Sequence, residues 1–170
     1  MPGDDSPFDD FFVFEYPRLV AALALVTGDR DVATDAVDEA CARAWEQVRR
    51  GTEIESLGAW IRVVALNVAR GRFRRRVNER RARERLASFP ARAADIDATA
   101  AVDVRRALAH LTARQREVVV LRYFLDLSVD DIATQLGIAG GTVKTTLHRA
   151  RAALAAVLDD TNTEVRDGVS

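Results

Sequence analysis

Apolar residues recur along this chain at spacings of three and four, the period of one helix face. The clearest stripe lies in LSVDDIATQLGIAGGTVKTTLHRARAALAAVL, residues 127–158. Val143, Leu147, Ala150, Leu154 and Leu158 share one side of a helix there, and Lys144, Thr145, His148, Arg149 and Arg151 occupy the other. A shorter helix precedes it, with Ile132, Ala133 and Leu136 apolar and Ser128 placed to cap its start. Asp131, three residues later, suits a capping-box-like pair. Gly137 ends that helix by taking the left-handed conformation other residues resist. A turn over residues 138–141 leads into the longer helix, whose start Thr142 or Gly141 can cap. Ala133, Gly137 and Val143 have helix-turn-helix spacing: a small residue where helices cross, a glycine turn, then an apolar anchor. Such a helix fits the major groove and offers donors to base edges and phosphates. The plainer alternative for this stretch is an αα-hairpin inside a helical bundle.

The same period runs through the rest of the chain. A helix over residues 8–26 turns Phe11, Phe12, Tyr16, Leu19, Val20 and Leu23 inward. Pro17 interrupts it, giving two helices or one kinked helix. After the turn TGDRD (27–31), a helix to residue 50 sets an apolar face of Val32, Ala36, Val37, Ala40, Ala44, Trp45 and Val48 against a face of Asp35, Asp38, Glu39, Arg43 and Glu46. That charged face is either simply solvated or a partner surface. A loop over 51–55 and a capping Ser56 open a third helix, which buries Trp60, Val63, Val64 and Val68 and ends between residues 76 and 86. Residues 87–101, ASFPARAADIDATAA, read as a flexible linker. Beyond it come a helix over 102–110, one over 113–125 with Thr112 and Gln115 as its capping box, and then the helix-turn-helix. The expected fold is all-α: two small helical domains, 8–86 and 102–158, between an acidic, disordered lead (1–7) and a polar tail (159–170).

Composition changes this picture little and charge changes it much. The 170 residues are 48% hydrophobic and 30% charged, as in a soluble globular protein. No apolar run approaches the ~20 residues of a membrane span, and the acidic N-terminus lacks a signal-peptide shape. The single cysteine, Cys41, rules out an internal disulfide framework, suits the cytoplasm and reads as a small core residue. The net charge of −1 conceals segregation. Residues 70–85 hold nine arginines against two acids, a net of +7, and residues 102–158 hold eight Lys/Arg against five acids, a net of +3. Acids gather at Asp4, Asp5, Asp9 and Asp10 and between Asp29 and Glu39. Two basic regions and one acidic region point to a nucleic-acid ligand plus a separate protein partner. Cations for phosphates beside Phe73 for stacking fit a nucleic-acid strand, although an arginine-rich helix end is also an ordinary solvated surface. No catalytic constellation, metal set, cofactor motif or phosphate-binding glycine loop is present: His110, His148 and Cys41 lie well apart, with His110 placed at a helix end.

Four pieces in this order, LVTGDRDVATDAVDEACARAWEQV (25–48), SLGAWIRVVALNVARGRFRRR (56–76), LTARQREVVVLRYFLDLSVDDIA (111–133) and GGTVKTTLHRARAAL (140–154), resemble a bacterial RNA polymerase sigma factor of the extracytoplasmic-function type, group IV of the sigma-70 superfamily. The resemblance covers about residues 8–158. It implies a non-enzymatic promoter-specificity subunit that binds core polymerase through the β′ clamp and β flap, with an anti-sigma factor as a further partner and no membrane insertion. It assigns clamp binding to Asp35, Asp38, Glu39, Ala42, Arg43 and Trp45. It assigns the melted −10 element to Trp60, to Asn67 at the family's base-gripping position, and to Arg70, Arg72, Phe73, Arg74 and Arg75. Thr142, Lys144, Thr145, His148, Arg149 and Arg151 would read the −35 element, and the linker would thread toward the RNA exit path. Three positions depart from the family: Thr146 replaces an arginine, Val37–Asp38–Glu39 replaces a more amide-rich clamp sequence, and the turn carries an additional glycine, Gly140. A stand-alone helix-turn-helix regulator and a sigma-like decoy that binds core or a regulator without initiating are the competing readings.

Overall fold

The computed structural model describes residues 7–84 and 99–167, with side chains for 8–79 and 104–157. Every regular element among the described residues is helical, and the chain divides into two compact units, Met1–Ala94 and Asp95–Ser170.

The first unit opens with α1 (Pro7–Asp10), a π-helical turn over Phe11–Glu15, and α2 (Tyr16–Thr27). Pro17 causes the irregularity. It has no N–H to donate, and its ring crowds the carbonyl four residues back. The backbone widens just ahead of it, and the Tyr16 N–H donates to the Phe11 carbonyl five residues earlier. The interruption expected at Pro17 is therefore a local widening of one helical path. It also rotates Phe12 outward. Phe11 is 2% exposed, but Phe12 is 47% exposed and lies against Tyr16, so its inward assignment is corrected.

Gly28 ends α2 at φ 72°, and Asp29 caps α3 (Arg30–Arg49) by accepting the Val32 N–H at 3.0 Å. The buried stripe of α3 is mostly alanine: Ala33, Ala36, Ala40 and Ala44 are fully covered. Such small side chains let α4 (Leu57–Glu84) pack close, and α4 answers with Ile61, Ala65, Leu66 and Ala69, all fully buried. This corrects the sequence expectation twice. Trp45 and Val48 of α3 are exposed rather than on the core face. On α4, Trp60, Val64 and Val68 are only half-buried and Val63 is exposed. Two neighbouring stripes compete on α4, and the one that carries two alanines faces the alanine-lined side of α3. Glu15 locks α4 to the π-helical turn: its carboxylate lies over Gly58, where a Cβ would collide, and pairs with Arg62 at 3.6 Å. A carboxylate at that first turn also complements the helix dipole.

The second unit holds α5 (Thr99–Ala109), α6 (Ala113–Tyr123), α7 (Val129–Leu136) and α8 (Gly140–Asp167). Both expected capping boxes form, Thr112 with Gln115 and Ser128 with Asp131. Gly137 closes α7 at φ 63°. Neither Thr142 nor Gly141 caps α8. It begins earlier, with the Ala139 carbonyl accepting from the N–H groups of Thr142 (2.9 Å) and Val143 (3.2 Å). It also continues through Asp167, where the sequence suggested a tail from 159, because no glycine or proline lies between Gly141 and Gly168 to stop it. Likewise α5 starts at Thr99, extended by the helix-forming Ala100 and Ala101. The expectations of a disordered lead over 1–7 and a flexible linker over 87–101 fall, apart from Pro7 and residues 99–101, outside the described residues. Leu108, Val118, Leu121, Ile132, Val143, Leu147 and Ala150 form the core. Two of this unit's cations work internally. Arg116, half-buried, donates to the carbonyls of Leu108 (2.9 Å) and Leu111 (3.3 Å), and Arg122 to that of Leu127 (2.8 Å), so they tie loops rather than face a ligand.

Candidate nucleic-acid interface

On α8 the side turned to the core consists of Val143, Leu147 and Ala150, all buried, which fixes what the opposite side presents. At 100° per residue, Thr145 sits at the centre of the free face with His148 and Arg149 on either side of it; Thr142 lies beyond Arg149, and Lys144 and Arg151 lie beyond His148. All six are exposed, and all six are the residues the sequence assigned to base reading. The Thr145 hydroxyl donates to the Gly141 carbonyl at 2.9 Å and Thr146 donates to the Thr142 carbonyl at 2.7 Å. With its proton directed into the helix, Thr145 presents lone pairs and a methyl outward. Thr146, half-buried, brings no cation.

On α4 the seven candidates separate. Trp60, Asn67 and Arg74 fall on the outer side, opposite Ile61, Ala65 and Ala69, over about 21 Å of helix from Trp60 to Arg74. Arg70 is half-buried, with one guanidinium nitrogen shielded from solvent, and Arg75 stands at the edge of this side, lining shallow grooves shared with α3. Trp60 lines an open groove of about 510 Å³ with Ile54, Ala59, Val63 and Val64, closed by the loop residues Thr52, Glu53, Glu55 and Ser56. Asn67 lies two turns further along the same side, in a second, more polar groove with Glu39, Arg43, Gly71, Arg72 and Arg75. Phe73 and Arg72 lie off this face. Arg72 turns to α3, where it donates to Asp35 at 2.8 Å and Glu39 at 2.6 Å. Arg76 likewise pairs with Asp29. Among the described residues no ion pair holds Arg74 or Arg75, both exposed.

The clamp-assigned side of α3 is partly engaged within the unit. Asp35 and Glu39 hold Arg72, Glu39 also holds Arg43, and Asp38 accepts the Tyr16 hydroxyl at 2.6 Å. Arg72 foremost, then Arg43, keeps the Glu39 carboxyl below the usual carboxylate range against the opposing effect of burial. The hydrogen bond to Asp38, with burial, pushes Tyr16 up to about 12. Ala42 is exposed, and Trp45, 54% exposed, meets Phe8 edge-on at 5.2 Å. Sequence reasoning missed Tyr16 and Asp29 as partners of this surface. The readable signal was the four-residue spacing of Asp35 with Glu39 and of Arg72 with Arg76. Among the described residues no group of His, Cys, Asp or Glu is arranged to hold a metal ion.

Two helical units of this kind match two family models, "Sigma-70 region 2" over residues 13–79 and "Sigma-70, region 4" over residues 101–154. Similar proteins include the ECF RNA polymerase sigma factor SigM of Mycobacterium tuberculosis, 30% identical over 97% of this chain and 84% of that one, and SigL of the same species, 35% identical over 79% of each. The sigma factor RpoE of Bartonella quintana, solved in complex with the anti-sigma factor NepR, is 28% identical with a TM-score of 0.70, covering 89% of this chain and 96% of that chain. The chain belongs to the sigma-70 family of RNA polymerase sigma factors, in its extracytoplasmic-function group. Its relatives are named as RNA polymerase sigma factors, and among the described residues no helix is long and apolar enough to cross a membrane.

Proposed function

We propose that this chain binds core RNA polymerase, recognises −35 and −10 promoter elements and directs transcription initiation in the cytoplasm. The observation that carries the reading is the free face of α8: Thr142, Lys144, Thr145, His148, Arg149 and Arg151 are all exposed, opposite an unbroken apolar anchor. In this reading α8 enters the major groove of the −35 element, where each good bidentate base contact contributes about 1–3 kcal/mol of discrimination. The outer side of α4 holds the melted −10 strand. Arg70, Arg74 and Arg75 meet phosphates, Asn67 grips a base, and the Trp60 groove, lined by Ile54, Val63 and Val64, offers apolar walls to another. Stacking on an aromatic returns about 1–3 kcal/mol per base, against the few kcal/mol needed to extrude one. Arg72 and Phe73 contribute only if they leave their present orientation.

The face of α3 with Asp35, Asp38, Glu39, Ala42, Arg43 and Trp45 meets the β′ clamp, and the second unit meets the β flap. Two domains (8–86 and 102–158) on a linker (87–101) each bind DNA modestly. Held by core at a fixed separation, they become specific through effective concentration. The structural relative complexed with an anti-sigma factor supports an anti-sigma factor as a regulatory partner here too. The test is reconstitution with purified core polymerase. A stable complex is expected that selects a duplex carrying −35 and −10 elements over scrambled DNA. Core binding without selection would favour a decoy, and selection without core a stand-alone regulator.

A further inference from the structure

Two arginines in the basic run of α4 already have carboxylate partners on α3 and its cap, in antiparallel order: Arg72 with Asp35 and Glu39 of α3, then Arg76 one turn on with the capping Asp29. Arg72 uses both ends of its guanidinium, Nη1 on Asp35 and Nη2 on Glu39. Arg75 lines the same shallow groove as Asp31, Asp35, Arg72 and Arg76. The acids therefore bind one cation that a DNA strand would use and stand beside another. The pairs are reached by water: the Arg72 side chain is 37% exposed and that of Asp35 63%. Exposed pairs are weak and open readily.

We propose that Asp35 and Glu39 sequester Arg72 from DNA in the free chain, and that a cationic partner surface docking on α3 releases it. This rests on the reading above, in which α3 meets core polymerase and α4 meets DNA. A guanidinium fork suits carboxylate and phosphate alike, so the two compete for the same donors. A partner that brings Lys or Arg to Asp35 and Glu39 takes over both carboxylates. Arg72 is then free to turn to a phosphate, and the negative charge facing the strand is neutralised. Linkage makes the coupling reciprocal: DNA tightens the partner by the factor by which the partner tightens DNA.

The test is fluorescence anisotropy of the full chain on a labelled, mixed-sequence single-stranded DNA at low salt. Asp35→Asn with Glu39→Gln is expected to tighten binding about fivefold, the scale of one or two exposed ion pairs. In an Arg72→Gln background the gain should shrink below about twofold, because the released donor is missing. The partner arm keeps the acids intact: saturating core polymerase should tighten the wild-type chain on this DNA more than it tightens Arg72→Gln. Equal tightening by the acid changes with and without Arg72, no tightening at all, or equal tightening by core of the wild type and Arg72→Gln would each overturn the proposal. Melting curves check folding. If the double variant melts early, Glu39→Gln alone is compared across the same backgrounds, with a smaller gain expected. Arg74→Ala with Arg75→Ala separates the two levels of inference. DNA affinity unmoved by that change overturns the DNA reading of α4 itself, whereas a clear loss there with no effect of the acids overturns only the sequestration.

Discussion

Replacing Lys144 and Arg149 by alanine removes two cations from the free face of α8 without touching its anchor. Both side chains are exposed, and neither supports Val143, Leu147 or Ala150, so the fold should be unaffected. Each phosphate neutralised on duplex DNA contributes about 0.9 to the slope of log affinity against log salt, so losing two lowers the slope by about 1.8. Over a fourfold rise in salt, the wild-type chain on core should then lose about twelvefold more affinity than the variant. If Arg149 instead makes a bidentate base contact, its loss appears as about 1–3 kcal/mol of discrimination at one position. The assay is anisotropy on −35 duplexes, matched and scrambled, across a salt series. A variant with the wild-type slope that still prefers the matched duplex would refute the assignment of α8.

Three further predictions follow from other parts of the molecule. Ile132→Ala empties a fully buried position under α8 and should cost about 2–5 kcal/mol, lowering the melting transition of the second unit while the first keeps its own; calorimetry of the whole chain reads both. Arg74→Ala with Arg75→Ala should lower the single-strand salt slope by about 1.4, and an unchanged slope would mean a solvated surface. Tyr16, raised from 10.0 to about 12, stabilises the first unit fully below pH 10, and that contribution is lost as pH rises to about 12; Tyr16→Phe should flatten this part of an alkaline melting series, whereas an identical slope would exclude the Tyr16–Asp38 hydrogen bond as its source.

Local chemistry was legible wherever one residue decides the backbone. Ser128 with Asp131, Thr112 with Gln115, and Gly137 each do in the fold what their type and spacing implied. The free face of α8 was legible too, because its anchor is large, regular and unopposed. Failures arose where two neighbouring stripes competed. On α4 the weight of Trp60 and three valines concealed the stripe of Ile61, Ala65, Leu66 and Ala69 that faces the alanines of α3. Phe12 faces out because a π-helical turn shifts the periodicity by one residue, a change that only the Phe11–Tyr16 hydrogen bond reveals. The division of Arg72 and Arg76 from Arg74 and Arg75 was invisible in a run of arginines, since it depends on which side of α4 faces the acids of α3.

Run-off transcription with purified core polymerase, this chain and a genomic promoter library is the decisive experiment for promoter-directed initiation. Discrete start sites are expected, each preceded at constant spacing by shared −35 and −10 elements, with the −35 dependence lost when Lys144 and Arg149 become alanine. Core that binds the chain yet yields no promoter-dependent starts would contradict promoter-directed initiation by this chain.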